Sequence, residues 1–151
     1  MIKIICLGKI KESYLVKGIE EYKKRISKYQ LLEIIELADE GTSDKKVALK
    51  KEKEKILKVL NPKDYIITLE LEGNEISSRE FAKKIENIFI TKSNITFIIG
   101  GSYGLDDEIK NLSNYKLSFS KMTFPHQLFR LILLEQIYRA FKINNNEEYH
   151  K

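Results

Sequence analysis

A pair of glycines after an apolar stretch is the first feature of the sequence that could do chemistry. Gly100 and Gly101 directly follow residues 95–99, whose β-branched side chains are typical of a buried strand. Ligands of parallel α/β sheets bind beyond the carboxyl ends of strands, and glycine exposes the backbone to a ligand because it has no Cβ. The spacing is neither a dinucleotide fingerprint nor a P-loop, so both of those sites are disfavoured. A tight turn that requires glycine explains the pair equally well.

The segment between residues 117 and 127 could bind a flat heterocycle. Phe119, Met122 and Phe124 can pack against a ring, and hydroxyl-bearing residues lie between them. Pro125 suits the first position of the helix that follows, so the amides at the start of that helix would point into the segment. The alternative is an ordinary helix start with a hydrophobic staple.

The end of the chain combines three side chains that could act on RNA. Tyr149 offers a ring for stacking, His150 a titratable base and Lys151 a cation for phosphate. Chain termini are commonly frayed, so a solvated end is the competing interpretation.

Strand and helix patterns alternate along the whole sequence and would position these segments. Ser77 and Glu80 have the spacing of a capping box and mark one helix start. Apolar runs predict a parallel α/β sheet that is covered by helices on both faces. The predicted strands are residues 1–7, 31–37, 65–69, 95–99 and 115–118, with a turn at 73–74. The predicted helices are residues 12–29, 44–60, 77–90, 106–111 and 125–143.

The last predicted helix lacks a single apolar stripe. Its polar residues lie on one side near the start, at His126, Gln127 and Arg130, and on roughly the opposite side in its second half. A surface helix has one continuous apolar stripe, so this helix must be buried on two sides. It either passes through the middle of the domain or meets a second subunit, and we favour the second in a C2 homodimer.

The predicted helix at 44–60 is basic, with seven lysines against three acidic residues. Its thin apolar side is expected at Val47, Leu49, Ile56 and Leu57. The lysines could contact RNA phosphates, and a solvated helix face explains them equally well.

The composition of the 151-residue chain limits its class. The length suits one domain, and the formal net charge of +5 permits a polyanionic partner without requiring one. The single cysteine, Cys6, is expected in the core, and no spacing of Cys or His indicates a metal site. No apolar stretch reaches the roughly 20 residues of a membrane span. We therefore expect a cytoplasmic protein without a metal or a membrane partner.

Three strings near the C-terminus resemble one family closely. They are residues 118–127 (SFSKMTFPHQ), 133–143 (LLEQIYRAFKI) and 149–151 (YHK). They are similar to the ribosomal RNA large subunit methyltransferase H family of the SPOUT superfamily, and the resemblance extends over the full length of the chain. The family often has a glycine where this chain has Asn146, and asparagine adopts positive φ at modest cost.

The resemblance implies a fold and an activity. The fold would be a single SPOUT domain with a parallel α/β sheet over residues 1–151, with a deep trefoil knot at about residues 65–143 and a tail at 144–151. The activity would be transfer of a methyl group from S-adenosyl-L-methionine to N3 of pseudouridine 1915 in 23S ribosomal RNA. The enzyme would be a homodimer that acts on the assembled ribosome.

The resemblance also implies site residues. His150 could take the N3 proton, or Arg139 could stabilise the deprotonated ring, and Tyr149 would accompany them. The cofactor would be bound by Leu69, Gly100, Phe119, Ser120, Lys121, Met122, Thr123 and Phe124.

Three other functions are compatible with parts of the sequence. Another SPOUT activity, ribose 2′-O-methylation, typically needs an arginine near the start of the chain, where only Arg25 is available. A non-catalytic ribosome-binding factor could keep the fold without binding the methyl donor. A nucleotide-binding α/β regulator would need a phosphate motif, which the sequence lacks.

Overall fold

The computed structural model describes residues 1–151 as a five-stranded parallel sheet with helices on both faces, which confirms the predicted parallel α/β sheet. The strands are β1 (Ile2–Leu7), β2 (Leu32–Leu37), β3 (Tyr65–Glu75), β4 (Ile95–Ile99) and β5 (Tyr115–Ser118). The helices are α1 (Ser13–Ile26), α2 (Lys45–Val59), α3 (Ser78–Thr91), α4 (Asp107–Leu112) and α5 (His126–Asn144). Only β3 differs from its predicted bounds by more than three residues at either end.

The strand order β2-β1-β4-β3-β5 places the central strands between two helical layers. Along β1, Ile4 and Cys6 pack with α1, α3 and α5, whereas Ile5 and Leu7 pack with α2 and α4. A strand buried on both faces must be apolar at every position, and this is the pattern that the sequence shows. Because all strands are parallel, their carboxyl ends lie at one edge of the sheet.

The single cysteine lies in the core, as predicted. Cys6 is fully buried, and burial raises the pKa of its thiol to about 11. The thiol therefore stays protonated near neutral pH and behaves as a small apolar side chain.

β3 is longer than predicted, because the chain leaves the sheet and re-enters it. Leu69 and Asn74 both pair with Leu117 of β5, so the four residues between them bulge out of the ladder. A Cβ on Gly73 would lie 2.8 Å from the carbonyl carbon of Leu117, so glycine allows the returning chain to approach β5. The predicted turn at 73–74 is wrong, since both residues belong to β3 and Asn74 pairs with β5.

The apolar side of α2 also differs from the prediction. The structure buries Ala48, Glu52 and Ile56, whereas Val47 and Leu57 are each 39% exposed. The buried positions follow one another at intervals of four residues and form a narrow stripe against the sheet. Val47 and Leu57 therefore face outward although they are large and apolar, and of the predicted apolar side only Ile56 is fully buried.

Helix α5 is buried on two sides within its own chain, between α1 and α3. Because α1 and α3 account for burial on two sides, the divided apolar face does not by itself indicate a second subunit, and the predicted dimer needs a different argument. The helix begins at His126, and Pro125 is its N-cap instead of its first residue. None of the five helices combines the length and the apolar composition that a bilayer crossing requires. The buried apolar residues of α5 are Leu133, Leu134, Ile137, Ala140 and Phe141.

A buried carboxylate joins the amino ends of the central strands. Asp64 accepts hydrogen bonds from Lys3 Nζ at 3.0 Å, Asn94 Nδ2 at 3.0 Å and Thr96 Oγ1 at 2.8 Å. Burial alone would raise the pKa of the Asp64 carboxyl, but these three hydrogen bonds together hold the pKa below its ordinary value. β1, β3 and β4 are thus tied together at the edge opposite their carboxyl ends.

We expect Asp64→Asn to lower the free energy of unfolding near pH 7 by about 2 kcal/mol, because it removes charge-assisted hydrogen bonds from a buried site. A carboxyl with a lowered folded-state pKa contributes stability above its unfolded value of about 3.9 and loses that contribution as the pH falls through the folded pKa. Urea unfolding should therefore show a difference in the free energy of unfolding between variant and wild type that becomes smaller at acid pH. Asp107→Asn, at an exposed residue, is the control. A difference in the free energy of unfolding that stays constant with pH would contradict the prediction.

Candidate active site

A cleft of about 430 Å³ opens at the carboxyl ends of β3, β4 and β5. These strands are neighbours in the sheet, so the three segments that follow them converge. The volume lies within the range of small-molecule sites. Lys121 is exposed and does not line the cleft. The other residues that the resemblance implied for the cofactor do line it, namely Leu69, Gly100, Phe119, Ser120, Met122, Thr123 and Phe124.

The turn at 100–104 needs its glycines for two separate reasons. A Cβ on Gly100 would lie 2.5 Å from the carbonyl oxygen of Gly104, so only glycine allows the turn to close. Gly104 has φ of 77° and donates its N–H to the carbonyl oxygen of Gly101 at 3.0 Å. The tight-turn interpretation is therefore correct, and the same turn forms one wall of the cleft.

The loop at 119–124 is held by aromatic packing against α5 and by a hydrogen bond within the loop itself. The Phe119 ring packs edge-on against Phe129, with 4.9 Å between ring centroids. The Met122 N–H donates to Ser120 Oγ at 3.0 Å. Met122 is 73% exposed, so its side chain lies at the rim of the cleft and not at its floor.

The start of α5 is fixed to the end of β1 by a buried arginine. Arg130 is 2% exposed, its Nη1 lies 2.7 Å from Glu36 Oε2, and its Nη2 donates to the Gly8 carbonyl at 3.1 Å. His126, one helical turn earlier, lines the cleft and would lie 3.6 Å from a Cβ on Gly8. The sequence interpretation treated both side chains only as part of a polar stripe, and it missed their place at the sheet edge.

Two carboxylates of the bulge after Leu69 also line the cleft, and sequence reasoning missed them. Glu70 and Glu72 face it together with Lys110 of α4. In the sequence they come just after the predicted strand at 65–69, and neither was predicted to have a role in the site. No group of three or more His, Cys, Asp or Glu side chains is arranged to hold a metal ion.

The residues implied as catalytic come together on the second half of α5. Arg139 donates to Glu135 and contacts His150 Nδ1 at 3.0 Å, and the Tyr149 hydroxyl donates to Glu135 at 3.0 Å. Burial, with hydrogen bonds to Tyr22 and Glu135, raises the pKa of Tyr149. The tail is therefore docked on the helix and is not frayed.

A turn at the end of α5 brings the tail back onto the helix. Asn146 has φ of 54°, the positive value expected for a position where the family often has glycine. The Glu147 N–H then donates to the carbonyl oxygen of Lys142, and the Tyr29 hydroxyl donates to the Glu147 carboxylate at 3.0 Å. These contacts direct Tyr149 and His150 towards Arg139.

The cleft and the tail cluster lie far apart along α5. His126 lines the cleft, and Arg139 is thirteen positions further along the same helix, which corresponds to about 20 Å of axial rise. The structure therefore brings together the predicted cofactor residues, except Lys121, at one place and Arg139, Tyr149 and His150 at another.

A buried carboxylate lies behind the glycine turn. Glu52 of α2 is 3% exposed, and its Oε1 would lie 3.6 Å from a Cβ on Gly101. It accepts the N–H of Glu40 at 3.1 Å, while its Oε2 has no hydrogen-bond partner. Burial raises the pKa of the Glu52 carboxyl, and the backbone hydrogen bond only partly opposes this.

The family described as "Predicted SPOUT methyltransferase" matches residues 1–150. Fold and sequence thus define a SPOUT methyltransferase. The solved structure of a probable methylase family protein from Haemophilus influenzae Rd KW20 shares this fold, with a TM-score of 0.59 at 18% identity. The match covers 99% of this chain and 70% of that one.

Two relatives define the family more narrowly. A protein of Methanococcus maripaludis is 57% identical, and ribosomal RNA large subunit methyltransferase H 1 of Clostridium perfringens is 55% identical. Each match covers 99% of both chains. The chain belongs to the ribosomal RNA large subunit methyltransferase H family.

We expect Glu52→Gln to flatten the pH dependence of stability. A carboxyl whose pKa is raised in the folded state destabilises the protein least when the pH is below its pKa in the unfolded chain, about 4.3. The protein loses stability as the pH rises through the pKa of the folded state. Between about pH 4 and pH 8, the free energy of unfolding of the variant, measured by urea unfolding, should therefore rise relative to that of wild type by on the order of 1 kcal/mol. Glu54→Gln, exposed on the same helix, is the control. Parallel curves for wild type and Glu52→Gln would refute the assignment.

Proposed function

We propose that this chain transfers a methyl group from S-adenosyl-L-methionine to N3 of pseudouridine 1915 in 23S ribosomal RNA, on assembled ribosomes in the cytoplasm. One observation carries the proposal: the glycine turn and the 119–124 loop meet in a single cleft, in a chain of this family. The name of the Clostridium perfringens relative supports large-subunit ribosomal RNA as the substrate class.

The residues of the cleft suit S-adenosylmethionine. Leu117, Phe119 and Phe124 offer apolar surface to the adenine ring, and Gly100 and Gly101 expose backbone to its polar edge. When bound, S-adenosylmethionine supplies an electrophilic methyl group, whose bonding electrons remain on sulfur as N3 forms the new bond. The role of the cleft is to hold the methyl group in line with N3.

We further propose that the site is completed by a second copy of the chain. The tail cluster lies about 20 Å along α5 from the cleft, so a single chain does not bring its own cluster to its own cleft. Two copies related by a C2 axis, with α5 helices antiparallel, would place each cluster over the partner's cleft. Leu128, 37% exposed near the start of α5, offers apolar surface to such an interface.

In that arrangement Arg139 and His150 would act on the pseudouridine ring. A guanidinium only donates hydrogen bonds, so His150 Nδ1 accepts from Arg139 in the single chain. His150 takes the N3 proton only once that contact is released, and Arg139 is then free to stabilise the negative charge on the ring. Tyr149 holds the arginine through its ring, 4.7 Å from the guanidinium.

Other features of the proposal follow from family membership and from charge. SPOUT membership supports one domain over residues 1–151 with a trefoil knot at about 65–143. On α2, Lys50 and Lys51 are exposed and are the lysines that we assign to ribosomal RNA phosphates. Lys55 is instead held by Glu40 and the Ala38 carbonyl, which gives it a structural role.

We expect His150→Ala to lower kcat by about 10²-fold while changing the affinity for S-adenosylmethionine by less than about twofold. Single-turnover methylation and calorimetry measure the two quantities. Glu148→Ala, exposed in the same tail, is the matched control. Mixing His150→Ala with a Gly100→Val chain, whose glycine turn cannot close and whose cleft is therefore disrupted, should restore activity, because one of the two sites in the mixed dimer is intact. Unchanged turnover in His150→Ala would remove this residue from the mechanism.

The function itself is tested with ribosomal RNA from a deletion strain. Mass spectrometry should find one pseudouridine without its methyl group, and purified protein with S-adenosylmethionine should restore it on intact ribosomes. A methyl group on a ribose oxygen would instead indicate the 2′-O activity. A protein that binds ribosomes but gives no calorimetric signal with S-adenosylmethionine would be a non-catalytic factor.

A further inference from the structure

We propose that the carboxylate of Glu70 recognises the positive sulfonium charge of the methyl donor, so that the cleft binds the donor more tightly than the demethylated product. This inference rests on the proposed function, since it concerns the same cleft. It assigns a specificity-determining role to a residue that is not among the predicted cofactor-binding residues.

The bulge in β3 is what places Glu70 at the cleft. Between Leu69 and Asn74 the chain leaves its ladder with β5, so the strict alternation of side chains between the two faces of the sheet is suspended. Glu70, Leu71 and Glu72 consequently all line the cleft, although they are consecutive in sequence.

Glu70 is held in place before any ligand binds. Its Oε2 accepts a hydrogen bond at 2.8 Å from the hydroxyl of Thr68, a residue that is completely buried. Its Oε1 lies 3.7 Å from Lys110 Nζ, and its side chain is 11% exposed. Each carboxylate oxygen has a further lone pair available for a ligand. A carboxylate fixed at the wall of a cleft interacts with a charge more strongly than one in open water.

The charge of the cleft is opposite to that of the whole chain. Its charged lining residues are Glu70, Glu72 and Lys110, which leaves one net negative charge in a chain of net charge +5. Carboxylates repel RNA phosphates, so their place here is not explained by contact with RNA. They do suit a ligand whose reactive centre is cationic.

The donor and the product differ at one point only. Both carry the same adenosine and the same amino acid ends, but the sulfonium of the donor becomes a neutral thioether when the methyl group leaves. An attraction to the sulfonium therefore strengthens binding of the donor alone, and it disappears upon transfer, which favours release of the product. The ratio of the two dissociation constants isolates this attraction from every contact that the two ligands share.

Calorimetry on the full chain tests the inference with S-adenosylmethionine and S-adenosylhomocysteine as ligands. We expect Glu70→Gln to weaken donor binding so that the ratio of product Kd to donor Kd falls about tenfold, a change of about 1.4 kcal/mol. Glu75→Gln, exposed at the end of β3 and outside the cleft, is the matched control and should leave the ratio unchanged. Glu72→Gln should shift the ratio in the same direction by about threefold, a smaller change because this carboxylate is exposed and its charge is screened. This variant provides the test if Glu70→Gln does not fold.

The remaining outcomes are distinct from one another. Equal weakening of both ligands in Glu70→Gln would mean that the carboxylate contacts a shared part of the ligands, and it would overturn the inference. An unchanged ratio in both cleft variants would do the same. If wild type binds neither ligand, the proposed function itself fails, and the inference fails with it.

Discussion

The adjacency of β4, β3 and β5 in a wholly parallel sheet is the constraint on which the site depends. Parallel strands end at a common edge, so the turn after Ile99, the bulge after Leu69 and the loop after Ser118 must emerge side by side. At the opposite edge, Asp64 ties the amino ends of β1, β3 and β4. The position of the cleft therefore follows from strand order, and local sequence only decides what lines it.

Helix α5 connects this edge with the rest of the molecule. Its first turns are fixed to β1 by Arg130, whose guanidinium is buried against Glu36 and the Gly8 carbonyl. Its second half carries the tail cluster around Arg139, far from the cleft. Because α1 and α3 cover both of its flanks, the helix is a rigid spacer within one chain. In the proposed dimer, a complete site then depends on how the two α5 helices are arranged.

The sequence was most informative where one local signal dominated. β4 and β5 were predicted with their observed bounds, and the capping box of Ser77 starts α3 as expected. The errors came from tertiary pairing: the bulge before Asn74 arises from β5, and the buried stripe of α2 from the sheet. The loops that line the cleft could be predicted by resemblance, whereas the place of His126 and Glu70 in the cleft could not, because the sequence alone does not reveal which cavity a histidine or glutamate faces.

The docked tail gives the protein a built-in optical signal. The chain contains no tryptophan and eight tyrosines. Four of these form one aromatic cluster where the tail docks on α5, namely Tyr22, Tyr29, Tyr138 and, from the tail itself, Tyr149. The Tyr149 hydroxyl donates to Glu135, and such a contact with a carboxylate quenches the emission of a phenol. Ultraviolet fluorescence of the unlabelled protein therefore reports whether the last residues rest on α5 or have moved away, without any dye attached.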